Sequence, residues 1–504
     1  MKPAHPFLVA TLLLFAADPT LFAQGSCAWS GLGSGLLGNV SDLTVFDDGS
    51  GPALYAGGWF TSAIANGGAV NRIARWDGVT WSPLGSGMSA AVNALTVWDD
   101  GTGPALYAGG FFATAGGMTV NSIAKWDGAA WSPVGSGSSG VGGGVMALTV
   151  FDDGTGPALY VGGNFGTIGG VANNVAKWDG VAYSPVGSGL GTVQTLTVFD
   201  DGTGPALYAG GNSFLLGGGM YASHVAKWNG TSWSYLGSGV SGPVRALMAF
   251  DDGTGPALYV AGGFISAGGM PAGGIAKWDG TTWSPLVSGV VTTFVASLTV
   301  FDDGMGPALY AGGGFTLAGD MGARGIARWD GTTWSPLGSG IGNGASALTV
   351  FDDGAGPALY AAGNFATAGG VFARSIARWS CGSGISLTGT QPGPNGPAGG
   401  PLYLHHANLT PGHEYFSVFS PNLCPGGPGT GSPNLFGLCT SNVQSLVNQL
   451  LLPVGTPPFH FIAPSSYVSW GPFVLLPASV DAVSVEVTGG IIGATSAVTR
   501  ITVQ

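Results

Sequence analysis

Carboxylates are the groups this chain places most regularly for chemistry. Fourteen of its 25 Asp and Glu fall in seven Asp-Asp-Gly turns, from Asp47-Asp48 to Asp352-Asp353. Five more, Asp77, Asp127, Asp179, Asp279 and Asp330, open Asp-Gly turns. Oxygen-rich turns of this kind could hold Ca²⁺, which takes several oxygen ligands. They lack the alternating Asp-x-Asp-x-Asp spacing of dedicated calcium loops. An Asp that starts a turn ordinarily accepts hydrogen bonds from its own backbone, so a structural role is expected. Seven cations keep step: Arg75, Lys125, Lys177, Lys227, Lys277, Arg328 and Arg378, most with an Asp next but one. That pattern predicts one structural ion pair per unit.

Other reactive groups are sparse. His224 is the one histidine between residues 27 and 381, which does not support a copper site there. His405, His406, His413 and Glu414 cluster further on, but adjacent residues on a strand face opposite ways, so His405 and His406 would not share a metal. There is no nucleophile elbow, Walker loop, His-Glu-x-x-His or Cys-x-x-Cys. No catalytic residue, metal or cofactor is expected, and the chain reads as a protein that is not an enzyme.

The carriers of these residues are repeats. The phrase "LTVFDDGTGPALYAGG", or a close variant, starts at Leu43, Leu95, Leu148, Leu196, Leu247, Leu298 and Leu348. Each unit parses into four strands. Strand A ("ALTVF") leads through the Asp-Asp-Gly turn to strand B ("ALYAGG"). A looser Gly-rich segment leads to strand C ("SIAKW"), and an Asp-Gly hairpin to strand D ("TWSPLGSG"). Units of this length, each unable to bury both sheet faces alone, predict an all-β, seven-bladed propeller. With 45% hydrophobic residues and 16 Trp, a large core is affordable despite 95 Gly.

The seventh unit stops at Trp379-Ser380, without its strand D. The missing strand stands at the other end, as "CAWSGLGSG" from Cys27 to Gly35. The N-terminal strand is therefore expected to complete the last blade and close the ring. Cys381 and Cys27 then fall on consecutive positions of a C–D turn, which predicts a Cys27–Cys381 disulfide, and Cys424–Cys439 by elimination. Residues 1–23 have the layout of a secretory signal peptide, too short in its apolar run to span a membrane. A secreted, cell-surface or periplasmic location follows.

The double Gly after "LYA", followed by "IAKWDGTTWSPL", resembles the kelch repeat. The resemblance covers residues 27–380 and departs in the Asp-Asp-Gly turn and in Trp on strand C. It implies a kelch-like propeller of secreted bacterial type, a fold that serves enzymes and binding proteins alike. Residues 385–400 read as a Gly/Pro-rich linker and 401–504 as a β-sandwich-like accessory domain, with 441–452 as a possible helix. The formal charge of −12 disfavours nucleic acid as a partner. Loops that differ between blades are the B–C and D–A connections, at the end opposite the acidic turns. A protein or glycan ligand is expected there, through Trp59, Phe214, Tyr221, Phe372, Arg245, Arg324 and Arg374. Phe111 is expected to pack between blades.

Overall fold

A computed structural model describes residues 27–63, 69–139, 143–172, 174–216, 220–222, 224–286, 289–291 and 294–381, and from 386 onward strands only. Residues 1–23, expected to be a leader, lie outside the described residues. So do Cys424, Cys439, His413 and the segment 441–452.

Each repeat forms one antiparallel sheet in the order A-B-C-D. In blade 1 these strands are Val40–Asp47, Pro52–Gly58, Ile73–Trp76 and Trp81–Pro83. Seven such sheets make a propeller over Ala28–Cys381. Strand B is buried along nearly its whole length, as in "PALYAGG", because sheets cover it on both faces. Apolar clusters fill the gaps between consecutive blades. One of them joins Ala347, Phe351 and Tyr360 of blade 7 to Leu43, Leu54 and Trp76 of blade 1, so the ring is closed by a packed seam.

The closing strand is Cys27–Gly31, at the outer edge of the blade 7 sheet beside Ile376–Cys381. Cys27 and Cys381 form a disulfide. The strand also repeats contacts that most other D strands make. The Trp29 indole N–H donates to the Leu337 carbonyl at 3.1 Å, as Trp131 does to Leu84 at 3.0 Å. Where blade 3 has Tyr183 in place of Trp, its hydroxyl donates to Val134 at 3.1 Å. Trp29 and Trp379 lie with ring centroids 5.1 Å apart, matching 5.2 Å for Trp76 and Trp81.

The B–C segment is not a loose loop. In blade 2 it folds into a hairpin of Thr114–Ala115 with Met118–Thr119, turned by Gly116 and Gly117. Their φ values of 58° and 86° are left-handed, the geometry a tight two-residue hairpin turn needs and glycine supplies. D–A connections pair with these hairpins. Leu36–Leu37 joins Ser62–Ala63 of blade 1, while the Leu36 N–H donates to Arg374 of blade 7 at 3.0 Å. Each D–A connection thus links two blades on the face opposite the Asp-Asp-Gly turns.

From Gly382 the chain forms a second unit. Its strands make two antiparallel sheets, one from Ser386–Thr390, Leu402–Ala407 and Tyr467–Phe473, the other from five strands around Ser479–Thr488. Ser386–Thr390 lies inside the segment expected to be a linker. Its "SLTGT" carries β-branched and apolar residues that suit pairing, and the Gly/Pro-rich run follows it.

Candidate functional site

The acidic turns are satisfied internally. Asp47 Oδ1 accepts the Gly49 and Gly51 N–H groups at 2.9 and 3.0 Å. The second Asp of each turn meets a cation from strand C at 2.6–3.3 Å, in all seven blades. It also accepts the hydroxyl of a fully buried Tyr on strand B, at 2.6–2.9 Å. The cation's partner is therefore the second turn Asp and not, as the local spacing suggested, the Asp two residues on. The Asp two residues on is engaged by its own hairpin amides, whereas strands B and C are hydrogen-bonded neighbours with Tyr55 opposite Arg75. Asp77 caps its own hairpin, accepting the Val79 and Thr80 N–H groups at 2.9 and 2.7 Å. Burial alone would raise the Asp201 carboxyl, but hydrogen bonds from Lys227, Thr203 and Tyr208 hold it at about 2. Burial and the neighbouring Asp201 push the Tyr208 hydroxyl well above its usual range.

The opposite face has the variety this face lacks. Every strand A carries a β-bulge two residues before its repeated Leu, as between Val40 and Asp42 or Val244 and Ala246. A bulge leaves one residue without a ladder partner and re-aims its side chain. The seven bulge residues are Ser41, Asn93, Met146, Gln194, Arg245, Ala296 and Ser346, six types of side chain with serine in both blades 7 and 1. All seven line the axial channel and the funnel of about 390 Å³ above it, together with Asn39, Phe111 and Phe294.

The Arg245 guanidinium lies over the Phe294 ring at 4.6 Å, which fixes a cation at the rim. Phe111 leans across the funnel wall onto Gly144; a Cβ there would sit 2.2 Å from its ring, so a larger residue would displace Phe111. Its outer side meets Trp59, centroid to centroid 6.4 Å. Phe111 is 40% exposed, and its ring reaches from Trp59 of blade 1 to Gly144 of blade 3. Below the rim, Asp42 is the single carboxylate of the channel. Its Oδ1 accepts the Leu43 N–H at 2.9 Å and its Oδ2 the Leu95 N–H of the next blade at 2.7 Å. Burial pushes this carboxyl up to about 7, against the opposing pull of those two amides.

The expected site residues divide. Arg245 is in the funnel and Trp59, 57% exposed, borders it through Phe111. Phe372 and Arg374 stack on each other at 4.9 Å away from the funnel lining, and Arg324 is exposed, likewise outside that lining. Phe214 is a correction: it is fully buried, one of seven anchors with Phe60, Phe112, Phe165, Phe264, Phe315 and Phe365. An inserted residue before it, Ser213 with φ 26°, disguises the match to "NF" and "GF" in other blades. Tyr221 lies on strand Met220–Ala222, and its side chain is outside the described residues. Asp42, Asn93, Gln194 and Phe294 are site residues that loop variation does not reveal. Their signal is the first residues of strand A, "VSD", "VNA", "VMA", "VQT" and "VRA", which change while "LTVFDD" hardly does.

No family model matches this chain, and no curated protein matches it. Among solved structures, it is similar to two of the extracellular domain assigned to a one-component or hybrid two-component system of B. thetaiotaomicron. These show 11% and 10% identity and TM-scores of 0.42 and 0.40, with 93% of this chain covered in each. The chain spans only 57% and 56% of those proteins' length. It is also similar to an ancestral GH74 enzyme, at 13% identity and TM-score 0.36, over 75% of this chain and 61% of that one. Among the described residues no helix is long and apolar enough to cross a membrane.

Proposed function

We propose that the chain is an exported, non-catalytic binding protein of kelch-like repeat type, which seats a protein or glycan segment on the mouth of its axial channel. The observation that carries this reading is the ring of seven bulge residues of six types around one funnel, in a scaffold otherwise repeated blade by blade. Variation concentrated where a rigid fold presents its side chains is how scaffolds carry recognition. Aromatic surface at Phe111 and Phe294, an oriented Arg245 and the amides of Asn93 and Gln194 supply stacking, charge and hydrogen bonding at one place. The Cys27–Cys381 disulfide suits an oxidising compartment. The strands after Gly382 serve as a sandwich-like accessory module. A calcium-dependent adhesive role for the acidic turns is the weaker reading, because their carboxylates already have partners.

The test is a glycan and protein array probed with the secreted protein, repeated with Arg245→Ala, Phe111→Ala and Asp127→Asn. Binding lost in the first two and kept in the third, at unchanged melting temperature, is the expected result. Binding lost only in Asp127→Asn would place the ligand on the acidic face.

A further inference from the structure

We infer that the axial channel is a carboxylate-binding subsite, and that the ligand it admits is an acidic glycan inserting a uronate carboxylate from the mouth. This deepens the mouth reading above and rests on it. The first observation is a hydrogen-bond direction. The Leu95 N–H points away from its own sheet, to Asp42 of the neighbouring blade. In an antiparallel ladder, a residue turns both backbone groups either to its partner or away from it. Leu95 pairs with Ala108 in a register that the other blades repeat, as in Leu148 with Val161 and Leu247 with Val260. The amides of Leu148, Leu196, Leu247, Leu298 and Leu348 therefore point to the axis too, and these five residues line the channel. Strand A runs inward from the mouth, so this ring of N–H groups lies below the carbonyls of the strand A starts, of which Val145 and Ala345 accept from Asn93 and Ser297 of the preceding blades.

Asp42 shows what such amides take. Its carboxylate spans the amides of blades 1 and 2, one oxygen on each. The equivalent side chains elsewhere are Ala94, Ala147, Thr195, Ala246, Ser297 and Ala347, none of which supplies a carboxylate. Five amides on the far side of the channel thus lack the group that Asp42 provides, and Arg245 stands above them.

The second observation is charge. Nineteen aspartates and seven cations sit in the turns and strand ends of the acidic face. The strand A starts and B–C connections of the opposite face carry Arg72, Arg245, Arg324 and Arg374 against Asp42 and Asp320. The net charge of −12 is therefore a property of one face; the opposite face carries a small cationic excess, of which Arg245, set against Asp42, is the part that lines the channel. Phe111 and Phe294 flank the opening with flat apolar surface, and Asn39, Asn93 and Gln194 with amides, which matches the faces and hydroxyls of a sugar better than a peptide.

The experiment titrates the full chain with hexameric oligogalacturonate, its carboxyl-reduced form, and a hexaglutamate peptide. Arg245→Gln should weaken oligogalacturonate binding roughly 10-fold to 100-fold, the range for a charged hydrogen bond. Ala246→Asp copies Asp42 onto the amides of blades 5 and 6 and should block binding outright. Asp42→Ala should strengthen it, by freeing two amides and removing a like charge. Melting temperatures check that each variant is folded, and a variant that fails to fold leaves the other two to decide. Oligogalacturonate binding that vanishes on carboxyl reduction and follows these variants supports the inference. Equal binding of the reduced form, still sensitive to Phe111→Ala, overturns the carboxylate anchor and leaves the mouth reading intact. Binding of hexaglutamate alone overturns the glycan class. Binding indifferent to every mouth variant, or no binding of any probe, overturns the subsite.

Discussion

At the scale of single residues, Asp42 is the departure from repetition with the largest physical consequence. A carboxyl held near 7 when folded and near 4 when unfolded binds its proton more tightly in the native state. The contribution of Asp42 to stability should then be greatest below about pH 4, fall as pH rises to about 7, and level off above that. The fall is at most about 1.4 kcal/mol per pH unit. Asp42→Asn should flatten the profile in that window, which denaturant titrations at pH 4.5, 6 and 7.5 would show. A variant with the same slope as the parent would mean that Asp42 titrates normally. The same proton bears on the channel, where Arg245 is the other ionisable side chain in the lining. Oligogalacturonate affinity should therefore rise as pH drops from 8 to 5.5, since Asp42 loses its charge while the uronate keeps its own.

At the scale of the blade, the recurring unit is a Tyr–Asp–cation cluster that ties the A–B turn to strands B and C. Removing one donor leaves a carboxylate short of a partner, so Tyr259→Phe should cost about 1–2 kcal/mol, read as a lower urea midpoint. Because the Asp201 and Asp252 carboxyls titrate at about 2, the contribution of these two is present above about pH 4 and lost as pH falls toward 2. Chelation should leave the melting temperature unchanged; a drop of many degrees, reversed by Ca²⁺, would assign these turns to metal. Strands, turns and the seven-fold count were legible because each follows from local pattern: alternation, Asp-Gly turns and period. The cation's true partner was not legible, since strand pairing, not nearness in sequence, decides it. Nor was the bulge. "VRALMAF" reads as an even alternation until the pairing of Val244 and Ala246 with strand B leaves Arg245 over. Phe214 misled for the opposite reason: a single insertion made a core anchor look like a divergent loop residue.

At the scale of the whole molecule, closure turns seven marginal sheets into one body. Six blades take all four strands from consecutive sequence, and the seventh borrows its outer strand from the chain's start. Two kinds of fastening hold that strand, and they can be separated. The disulfide restricts the unfolded chain by closing a loop around the entire ring, and Cys27→Ala with Cys381→Ala should cost about 2–5 kcal/mol. The strand's own contacts, the Trp29 bond to Leu337 and the stacking on Trp379, survive that change. The double variant should remain a monomer with a lower melting temperature. Deleting residues through Gly35 removes both fastenings and bares the edge of Ile376–Cys381, with unpaired backbone groups that can template pairing between chains. That variant should elute as oligomers in gel filtration, while the double cysteine variant elutes with the parent. If the truncated chain stays monomeric and as stable as the disulfide-free one, the borrowed strand adds nothing beyond its cysteine, and closure rests on the covalent link alone.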